Sequence, residues 1–308
     1  MRFFNIAMTI AGTLLVSIPI VAATPDGRGF PSADAAAKAL ISAANTGDVS
    51  ALIAILGPES KEILTTSDPV ADRQTLQKFA ARAAAKMKLT AYASEPTGKI
   101  LLVGKDDWPL PIPIVQVQGQ WYFDVEQGKQ EILMRRIGGN ELDAINVCRG
   151  YVEAQNNYAE EDRTGSGVLH YAAKIISSPG QHDGLYWTSS GSNDESPIGD
   201  VIAKAFTEGY TNRHDPYHGY YFKILTGQGP HASGGQMSYF ANSLMTRGFA
   251  LIAWPSDYRS TGIMTFMVDK AGIVYQKDLG PKTPEIAGGY KAFDPDETWS
   301  PVETSVRK

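Results

Sequence analysis

The spacing of apolar residues in the first third of the chain predicts three amphipathic helices. Within each of them, apolar side chains recur three or four positions apart, which places them on one helix face. Ser32 can cap the first helix, and Gly57 with Pro58 ends the second. The three patterns are carried by Ala37, Leu40, Ile41 and Ala44, by Val49, Leu52, Ile53 and Leu56, and by Leu76, Phe79, Ala80, Ala83 and Met87 near residues 70–88.

The hydrophobic period then changes to two residues, which predicts strands. The segments KILLVG, PIPIVQVQ and QWYFDV follow the helices, and a tight turn around Gly119 joins the last two. Trp121, Phe123 and Val125 alternate, as one buried sheet face requires. Helices followed by a curved antiparallel sheet are an α+β pattern, which we assign to residues 24–138.

A second α+β part is predicted for residues 139–308. Gly138 and Gly139 interrupt a helical pattern there, and Asn140 can cap the following helix, with Asp143 three residues on. That helix is expected to run to Gly165. Its apolar face is formed by Val147, Tyr151, Ala154 and Tyr158. This helix can belong to either half, so the boundary lies within several residues of Gly139.

The strands of this second part lie between long loops. PYHGYYFKILTGQG and GFALIAWP each contain a strand, and TGIMTFMVDKAGIVYQKDLG reads as a hairpin that turns at residues 270–272. Ile263, Thr265 and Met267 face one way, and the equally apolar Met264, Phe266 and Val268 face the other. We therefore expect a strand covered on both sides, whose hydrophobicity needs no ligand to explain it.

The first 23 residues have the organisation of a secretory signal peptide. Arg2 is followed by an uncharged run and by small residues at Val21 and Ala23. We expect cleavage after Ala23 and no membrane span in the mature chain. An uncleaved anchor is the alternative, because the uncharged run is long enough to cross a bilayer.

Charge and cysteine content narrow the classes of function. The formal net charge is -5 and no basic block stands out, so a nucleic-acid partner has no electrostatic support. The only cysteine is Cys148, which excludes an internal disulfide. We expect an inert thiol in a helix core, and an exposed reactive thiol is the alternative.

Candidate catalytic residues are few and weak. All five histidines, His170, His182, His214, His218 and His231, lie in the second part. His218 is a weak acid or base candidate, with Asp215 to orient it and His182 as a further member. His214 and His218 would converge on a metal only in a helix, which Pro216 argues against, so we predict no metal site and no cofactor. The Gly/Ser loops lack the strand–turn–helix context of a nucleophile elbow. Taken together, these candidates favour a protein that is not an enzyme.

Aromatic residues crowd the second part and are the stronger functional signal. Tyr220 and Tyr221 must point to opposite faces if GYYF is a strand, so one of them can contribute to an exposed surface. Tyr and Trp suit protein interfaces, and their rings also stack on sugars. The candidate binding residues are Tyr217, Tyr220, Tyr221, Trp254, Asp257 and Tyr258.

Several segments in order resemble one bacterial family, domain of unknown function 2950. They are DGLYW, SPIGDVIAKAFTEGY, PYHGYYFKILTGQGP, GGQMSYFAN and GFALIAWPSDYRSTGIMTFMVDKAGIVYQKDLGPKT. The resemblance covers nearly the whole mature chain and implies an exported envelope protein of a Gram-negative bacterium, with no established catalytic residues. Arg259 stands where a glycine is more usual in that family.

Two weaker resemblances concern architecture. The first part, with NTGDVSALIAIL and GQWYFDV, resembles nuclear transport factor 2-like cone folds, which often enclose a pocket. The long helix followed by an antiparallel sheet is similar to the globular part of type II secretion pseudopilins, which implies a pilin-like sheet.

The leading hypothesis is a non-catalytic exported protein of the periplasm that binds a partner protein or another envelope component. One alternative is a hydrolase or metal-dependent enzyme that uses His218, Asp215 and His182. Another is a small-ligand site inside the cone, which requires a hollow cone rather than one filled by Trp108 and Trp121.

Overall fold

The fold is α+β, as the sequence predicts. The computed structural model describes residues 25–94, 97–191, 194–210 and 215–303. The predicted signal peptide and His214 lie outside these residues. Among the described residues, no helix combines the length and the apolar character needed to cross a bilayer.

The described residues of the N-terminal half form four helices followed by an antiparallel sheet. The helices are α1 (Ala33–Thr46), α2 (Val49–Leu56), α3 (Lys61–Leu64) and α4 (Pro69–Ala85), with a 3-10 turn at Pro58–Ser60. The strands are β1 (Met87–Ala91), β2 (Lys99–Val103), β3 (Trp108–Pro109), β4 (Ile114–Val117) and β5 (Gln120–Phe123). They pair in the order β1-β2-β4-β5, with β3 also on β2.

The helix ends follow local capping rules. The Ser32 hydroxyl accepts the N–H of Ala35 at 3.1 Å, which confirms the predicted cap of α1. Gly47 ends α1 in the left-handed region at φ 67°. The third predicted helix ends at Ala85 rather than near residue 88, so Met87 lies in β1.

Helix side chains cover the N-terminal sheet. Leu101, Val103, Ile114 and Phe123 have no exposed surface and share one buried cluster with residues of α1 and α2. Trp108 and Trp121 are half-buried and pack against this cluster. The sheet residues that would line the interior of a cone therefore pack against apolar helix side chains.

Helix α5 (Val125–Tyr158) runs without a break through Gly138 and Gly139, so the predicted interruption is wrong. Its N-cap is Asp124, and it ends at Tyr158 rather than at Gly165. Asn140, the predicted cap, instead donates its side-chain N–H to the carbonyl of Thr261 at 2.8 Å.

In its described residues, the C-terminal half contains the second part of α5, two further helices and ten strands. The helices are α6 (Gly199–Glu208) and α7 (Thr283–Gly289), the latter after a 3-10 turn at Gly280–Lys282. The strands are β6 (Tyr220–Leu225), β7 (Gly227–Gln228), β8 (Met237–Ser238), β9 (Phe240–Ala241), β10 (Leu244–Met245), β11 (Ala250–Pro255), β12 (Met264–Asp269), β13 (Val274–Asp278), β14 (Ala292–Phe293) and β15 (Ser300–Pro301).

The main sheet of this half has the strand order β15-β13-β12-β11-β6 and is antiparallel. Helices α5 and α7 both pack on it, and Phe266 and Met267, on opposite faces of β12, have no exposed surface. The expectation of a strand covered on both sides is confirmed. A smaller sheet, β14-β7-β8, and the β9–β10 hairpin lie beside it.

Arg259 takes the backbone conformation that a glycine would take. Its φ is 64°, in the left-handed region, and its N–H donates to the carbonyl of Gly262 at 2.8 Å. The turn between β11 and β12 therefore forms with an arginine at this position.

Buried apolar side chains form two large clusters, one within residues 30–133 and one within residues 144–299. The proposed division into domains at residues 138 and 139 stays a prediction. What the structure adds is a set of direct contacts between the halves, which surround the functional candidates.

Candidate functional site

A tight turn places His218 at the junction of the two halves. Tyr217 and Tyr220 exchange backbone hydrogen bonds of 2.8 and 3.1 Å across it. His218 and Gly219 between them have φ values of 50° and 75°. Two consecutive left-handed residues are typical of a type I′ turn, where Asn-Gly is the usual pair. His218 is thus a histidine in a position that favours asparagine or glycine.

The two ring nitrogens of His218 contact carboxylates from two different helices. Nδ1 lies 2.8 Å from Oδ2 of Asp143 on α5, and Nε2 lies 3.1 Å from Oε2 of Glu208 on α6. Only the protonated ring can donate a hydrogen bond from both nitrogens at once. This arrangement therefore fits an imidazolium held between two carboxylates. We call His218, Asp143 and Glu208 the histidine clamp.

Aromatic rings cover one side of the clamp. Tyr217 stacks on the His218 ring, with centroids 4.2 Å apart and planes 18° apart. Tyr210 packs edge-on against Tyr217 and shares a small buried cluster with Val70 and Ala205. Burial raises the pKa of Tyr210 well above its ordinary value, and the nearby Asp68 carboxylate adds to this. Burial likewise raises the pKa of Tyr217 to about 12.

Asp68 joins this region to the N-terminal half. It is almost wholly buried, and its carboxylate accepts three hydrogen bonds. The donors are the N–H of Ala71 at 2.9 Å, the hydroxyl of Tyr210 at 3.0 Å and the N–H of Gly219 at 2.8 Å. One carboxylate thus caps α4 and also binds the turn that carries His218.

Asp257, a predicted binding residue, takes part in the same junction. Its carboxylate accepts the N–H of Ser67 at 2.8 Å, and the hydroxyls of Ser67 and Ser256 are 2.7 Å apart. The segment after β11 is therefore docked on the loop before α4. The Asp257 carboxylate makes this contact within the chain.

Two of the predicted catalytic residues, His218 and His182, have different side-chain partners. The carboxylates within hydrogen-bond distance of the two His218 ring nitrogens are those of Asp143 and Glu208. The pairing of His218 with Asp215 stays a prediction. His182 lies in another cluster, stacked on Trp187 at 4.3 Å and paired with Asp194 at 3.2 Å. Because both His218 nitrogens face carboxylates, neither is placed to take a proton from a nucleophile.

The usual metal-ligating side chains in the described part of the chain are those of His, Cys, Asp and Glu. No group of three or more His, Cys, Asp or Glu side chains there is placed to hold a metal ion. In the histidine clamp, the two carboxylates contact opposite sides of the imidazole, so their oxygens and a ring nitrogen do not converge on one point.

Tyr221 and Trp254 form a cross-strand pair on the main sheet. They are direct partners in the β6–β11 ladder, with ring centroids 5.8 Å apart and planes 40° apart. Both side chains are half-buried. We call these two residues the aromatic pair.

Tyr220 is not available for binding, which corrects its place among the candidates. It has no exposed surface, and its hydroxyl donates to the carbonyl of Met264 at 2.9 Å. A Cβ on Gly262 would lie 2.2 Å from that hydroxyl oxygen, so the turn packs directly on the ring. Of the two adjacent tyrosines, only Tyr221 reaches the surface.

Tyr258 follows the aromatic pair along the chain and is half-buried. Its hydroxyl donates to Asp278 at 3.1 Å, and the guanidinium of Arg259 lies 5.5 Å from its ring centroid. The hydroxyl thus has a hydrogen-bond partner and the ring has a cation–π contact, while part of the side chain stays exposed.

Cys148 is a core thiol, as expected. It has no exposed surface, and burial raises its pKa to about 12. A thiol in such surroundings is not a nucleophile at neutral pH.

Comparison with known proteins gives a family and nothing more specific. A family model described as protein of unknown function (DUF2950) matches residues 27–302. The chain belongs to this family. No curated protein and no solved structure matches it. The resemblances to nuclear transport factor 2-like cones and to pseudopilins thus stay predictions for this DUF2950 member.

Three residues of the site were missed by sequence reasoning: Asp68, Asp143 and Glu208. For Asp143, the sequence predicts only a place in a helix cap. The sequence did contain a signal for the turn, because a His-Gly pair between aromatic residues is close to the Asn-Gly pattern of type I′ hairpins. It contained no signal for which carboxylates the turn would meet.

Proposed function

We propose that this DUF2950 protein is a non-catalytic binding protein, exported to the periplasm, that binds a partner protein or another envelope component through the aromatic pair. The observation that carries the proposal is the placement of Tyr221 and Trp254. They are half-buried rings on neighbouring strands of a sheet whose central residues are fully buried.

This placement suits recognition for a physical reason. A rigid sheet fixes both rings before binding, so little side-chain entropy is lost when a ligand covers them. Tyr and Trp contribute large contact areas and are enriched among the residues that dominate binding energy. Tyr258, on the segment that follows β11, extends the set of accessible aromatic groups.

Export is supported by the order of residues 1–23, with a basic start, an uncharged run and small residues before the expected cleavage site. The direct check is the N-terminus of the protein isolated from envelope fractions. Intact-mass analysis should give a chain that begins at residue 24. A mature chain that retains residues 1–23 would contradict cleavage.

The enzymatic alternative has less support. A histidine with a carboxylate at each nitrogen has no ring atom left for general base catalysis. The alternative of a ligand inside the N-terminal half is weakened by the apolar helix side chains against the sheet.

The binding proposal is tested by crosslinking and capture from native envelopes. The exported, tagged protein is crosslinked in cells, purified and analysed by mass spectrometry. The matched variants are Trp254→Ala and Tyr221→Ala, with Tyr92→Ala as the control, since Tyr92 is a half-buried tyrosine of the other half. Circular dichroism confirms that each variant is folded.

We expect one stoichiometric partner that is retained by Tyr92→Ala and reduced at least about ten-fold by either aromatic-pair variant. Equal capture by all four proteins would show that the aromatic pair does not form the binding surface. Absence of any stoichiometric partner would overturn the proposal of a binding protein.

A further inference from the structure

The solvent-facing side of α5 carries two large apolar side chains. Met134 is 62% exposed and Leu142 is 64% exposed, the highest values for large hydrophobic side chains among the described residues. Single exposed apolar residues are common on protein surfaces and do not define a site by themselves. These two differ from isolated ones because a regular pattern of residues joins them along the helix.

A glycine lies midway between the two apolar side chains, one helical turn from each. This glycine, Gly138, and its neighbour Gly139 make the helix less stable than alanine would. A Cβ added to either would meet no described atom within 4 Å, so packing inside the chain does not call for glycine at these positions. Gly128 of the same helix is different, because its Cβ would lie 2.7 Å from Cα of Ile112. A bare backbone on an exposed helix face allows another backbone to approach closely.

The pattern on this face is symmetric about the central glycine. The apolar residues stand four positions before and after it, and uncharged polar residues stand eight positions before and after it. Residues four apart are neighbours on a helix surface, so the set forms one row about 24 Å long. We call this set the α5 row: Gln130, Met134, Gly138, Leu142 and Asn146. The row carries no charge, and charged residues are depleted at the centres of protein interfaces.

This symmetry indicates a second copy of the same chain as the occupant. In a two-fold interface one surface meets itself, so every residue needs a counterpart of matching character in the same surface. When two α5 rows run antiparallel, Met134 of each copy meets Leu142 of the other. Gln130 of each copy likewise meets Asn146 of the other, which pairs apolar with apolar and polar with polar groups.

Charge next to the row favours the antiparallel arrangement. Arg135 and Glu131 form an ion pair of 2.7 Å beside the row, and both side chains are partly exposed. In a parallel pair of helices, each of them would lie level with its own counterpart, and like charges would repel. In the antiparallel pair, Arg135 lies level with Glu141 of the second copy. The helix dipoles then also point in opposite directions, which is favourable.

We propose that this protein associates with a second copy of itself through the α5 row, with the two α5 helices antiparallel and in contact at Gly138. One helix face buries less than the roughly 800 Å² per partner of a standard stable interface, so the dimer is weak. The expected dissociation constant is on the order of 100 µM.

Analytical ultracentrifugation of the full chain tests this association. Between about 5 µM and about 500 µM protein, the average mass should rise from that of one chain towards that of two. Leu142→Glu places a charge in the row and should weaken dimerisation at least about ten-fold. The matched control is Ile286→Glu on α7, since Ile286 is also an exposed apolar residue of a helix, at 42%. It should dimerise like the unaltered protein.

Two glycines of α5 separate close approach from helix stability. Gly150 lies on the same helix, outside the row, and its added Cβ also meets no described atom within 4 Å. Gly138→Ala and Gly150→Ala should each raise the melting temperature by about 2 °C, because both favour the helix. Only Gly138→Ala adds a methyl group where the two backbones meet, and it should weaken dimerisation at least about five-fold. Equal effects of the two variants on dimerisation would contradict contact at Gly138.

Disulfide formation tests the direction of the helices. A mixture of the Met134→Cys and Leu142→Cys proteins should form a disulfide-linked dimer at least about five-fold faster than either protein alone. Cys148 does not compete, because it has no exposed surface. Faster linkage in the separate proteins would overturn the antiparallel arrangement.

A protein that stays monomeric up to about 500 µM would overturn the proposal. So would a dimer that is unchanged in Leu142→Glu, because it would use another surface. If Leu142→Glu is not folded, as judged by circular dichroism, Met134→Glu decides the question. None of these outcomes depends on the aromatic pair, so they are independent of the binding proposal.

Discussion

The carboxylate of Asp68 accepts the backbone N–H of Gly219 at 2.8 Å, between residues 151 positions apart in sequence. The same carboxylate accepts the Tyr210 hydroxyl and the N–H of Ala71. One buried side chain therefore ties the start of α4 to the turn that holds His218. The halves of the chain are joined at this point by specific hydrogen bonds as well as by the continuous helix α5.

Replacement of Asp68 by alanine should destabilise the protein strongly. It removes a helix cap and leaves the buried Gly219 N–H and Tyr210 hydroxyl without their partner, so we expect a loss of about 3 kcal/mol in the free energy of unfolding. Asp48→Ala is the matched control, because Asp48 caps α2 through one exposed hydrogen bond to Ala51 and should cost about 1 kcal/mol. Denaturant unfolding measures both, and equal losses would contradict the role given to Asp68.

Gly219→Ala should lower the free energy of unfolding by more than the left-handed backbone conformation alone would cause. A Cβ at Gly219 would lie 2.6 Å from Nδ2 of Asn140 and 2.8 Å from Cβ of Thr261. Gly119 has a similar φ, 81° against 75°, but nothing lies within 4 Å of its added Cβ. Gly119→Ala thus measures the conformational cost alone, about 1 kcal/mol of the free energy of unfolding. Gly219→Ala should lower the free energy of unfolding by about 1–3 kcal/mol more, because its Cβ also meets neighbouring atoms. Similar unfolding midpoints for the two variants would show that the junction is loosely packed.

Cys148 should react with thiol reagents only after the protein opens. With its pKa raised to about 12 by burial, about one thiol in ten thousand is ionised at pH 8, and the side chain has no exposed surface. Labelling of the native protein should therefore follow the rate of unfolding, whereas the chain in guanidinium should label at once. Rapid labelling under native conditions would mean that α5 leaves the sheet far more often than its packing suggests.

His231 should make a small pH-dependent contribution to stability. Its hydrogen bond to the Asp294 carboxylate, and then the charge of that carboxylate, raise the pKa of His231 above its ordinary value. The folded state thus binds the proton more tightly, so the stabilisation is fully present below about pH 6.5 and is lost as pH rises through the raised pKa. The melting temperature of His231→Gln should lie below that of the unaltered protein at about pH 5.5, and the two should meet near pH 9. A difference that is independent of pH would assign the effect to packing instead of charge.

Short sequence patterns predicted those structural features that depend on residues close together in the chain. The Ser32 cap, the hairpin turn near Gly272 and the two-sided burial of β12 all follow from patterns a few residues long. The opposite orientations of Tyr220 and Tyr221 follow from the alternation of a strand, although the pattern could not say which of them is exposed. That choice was made by the β11–β12 turn, which packs on the Tyr220 ring at Gly262.

Helix α5 shows where local reasoning fails. Two adjacent glycines usually weaken a helix, yet α5 passes through Gly138 and Gly139. On one side of them Arg136 donates to backbone carbonyls of Glu62 and Ile63, and on the other Glu141 accepts the N–H groups of Ile263 and Met264 at 3.0 Å. These contacts fix the helix on both sides of the glycine pair. Their partners are far away in sequence, so no short window of sequence contains them.

The amino-acid sequence by itself determined the α+β class, most helix and strand positions and the membership of DUF2950, because each rests on short-range periodicity or on segments in order. Only the tertiary structure decided that α5 is continuous, that Tyr221 rather than Tyr220 is accessible, and that Asp143 and Glu208 flank His218. Asp143 lies 75 positions from His218. Pairing over such distances depends on how whole elements pack, and a one-dimensional pattern does not contain that information.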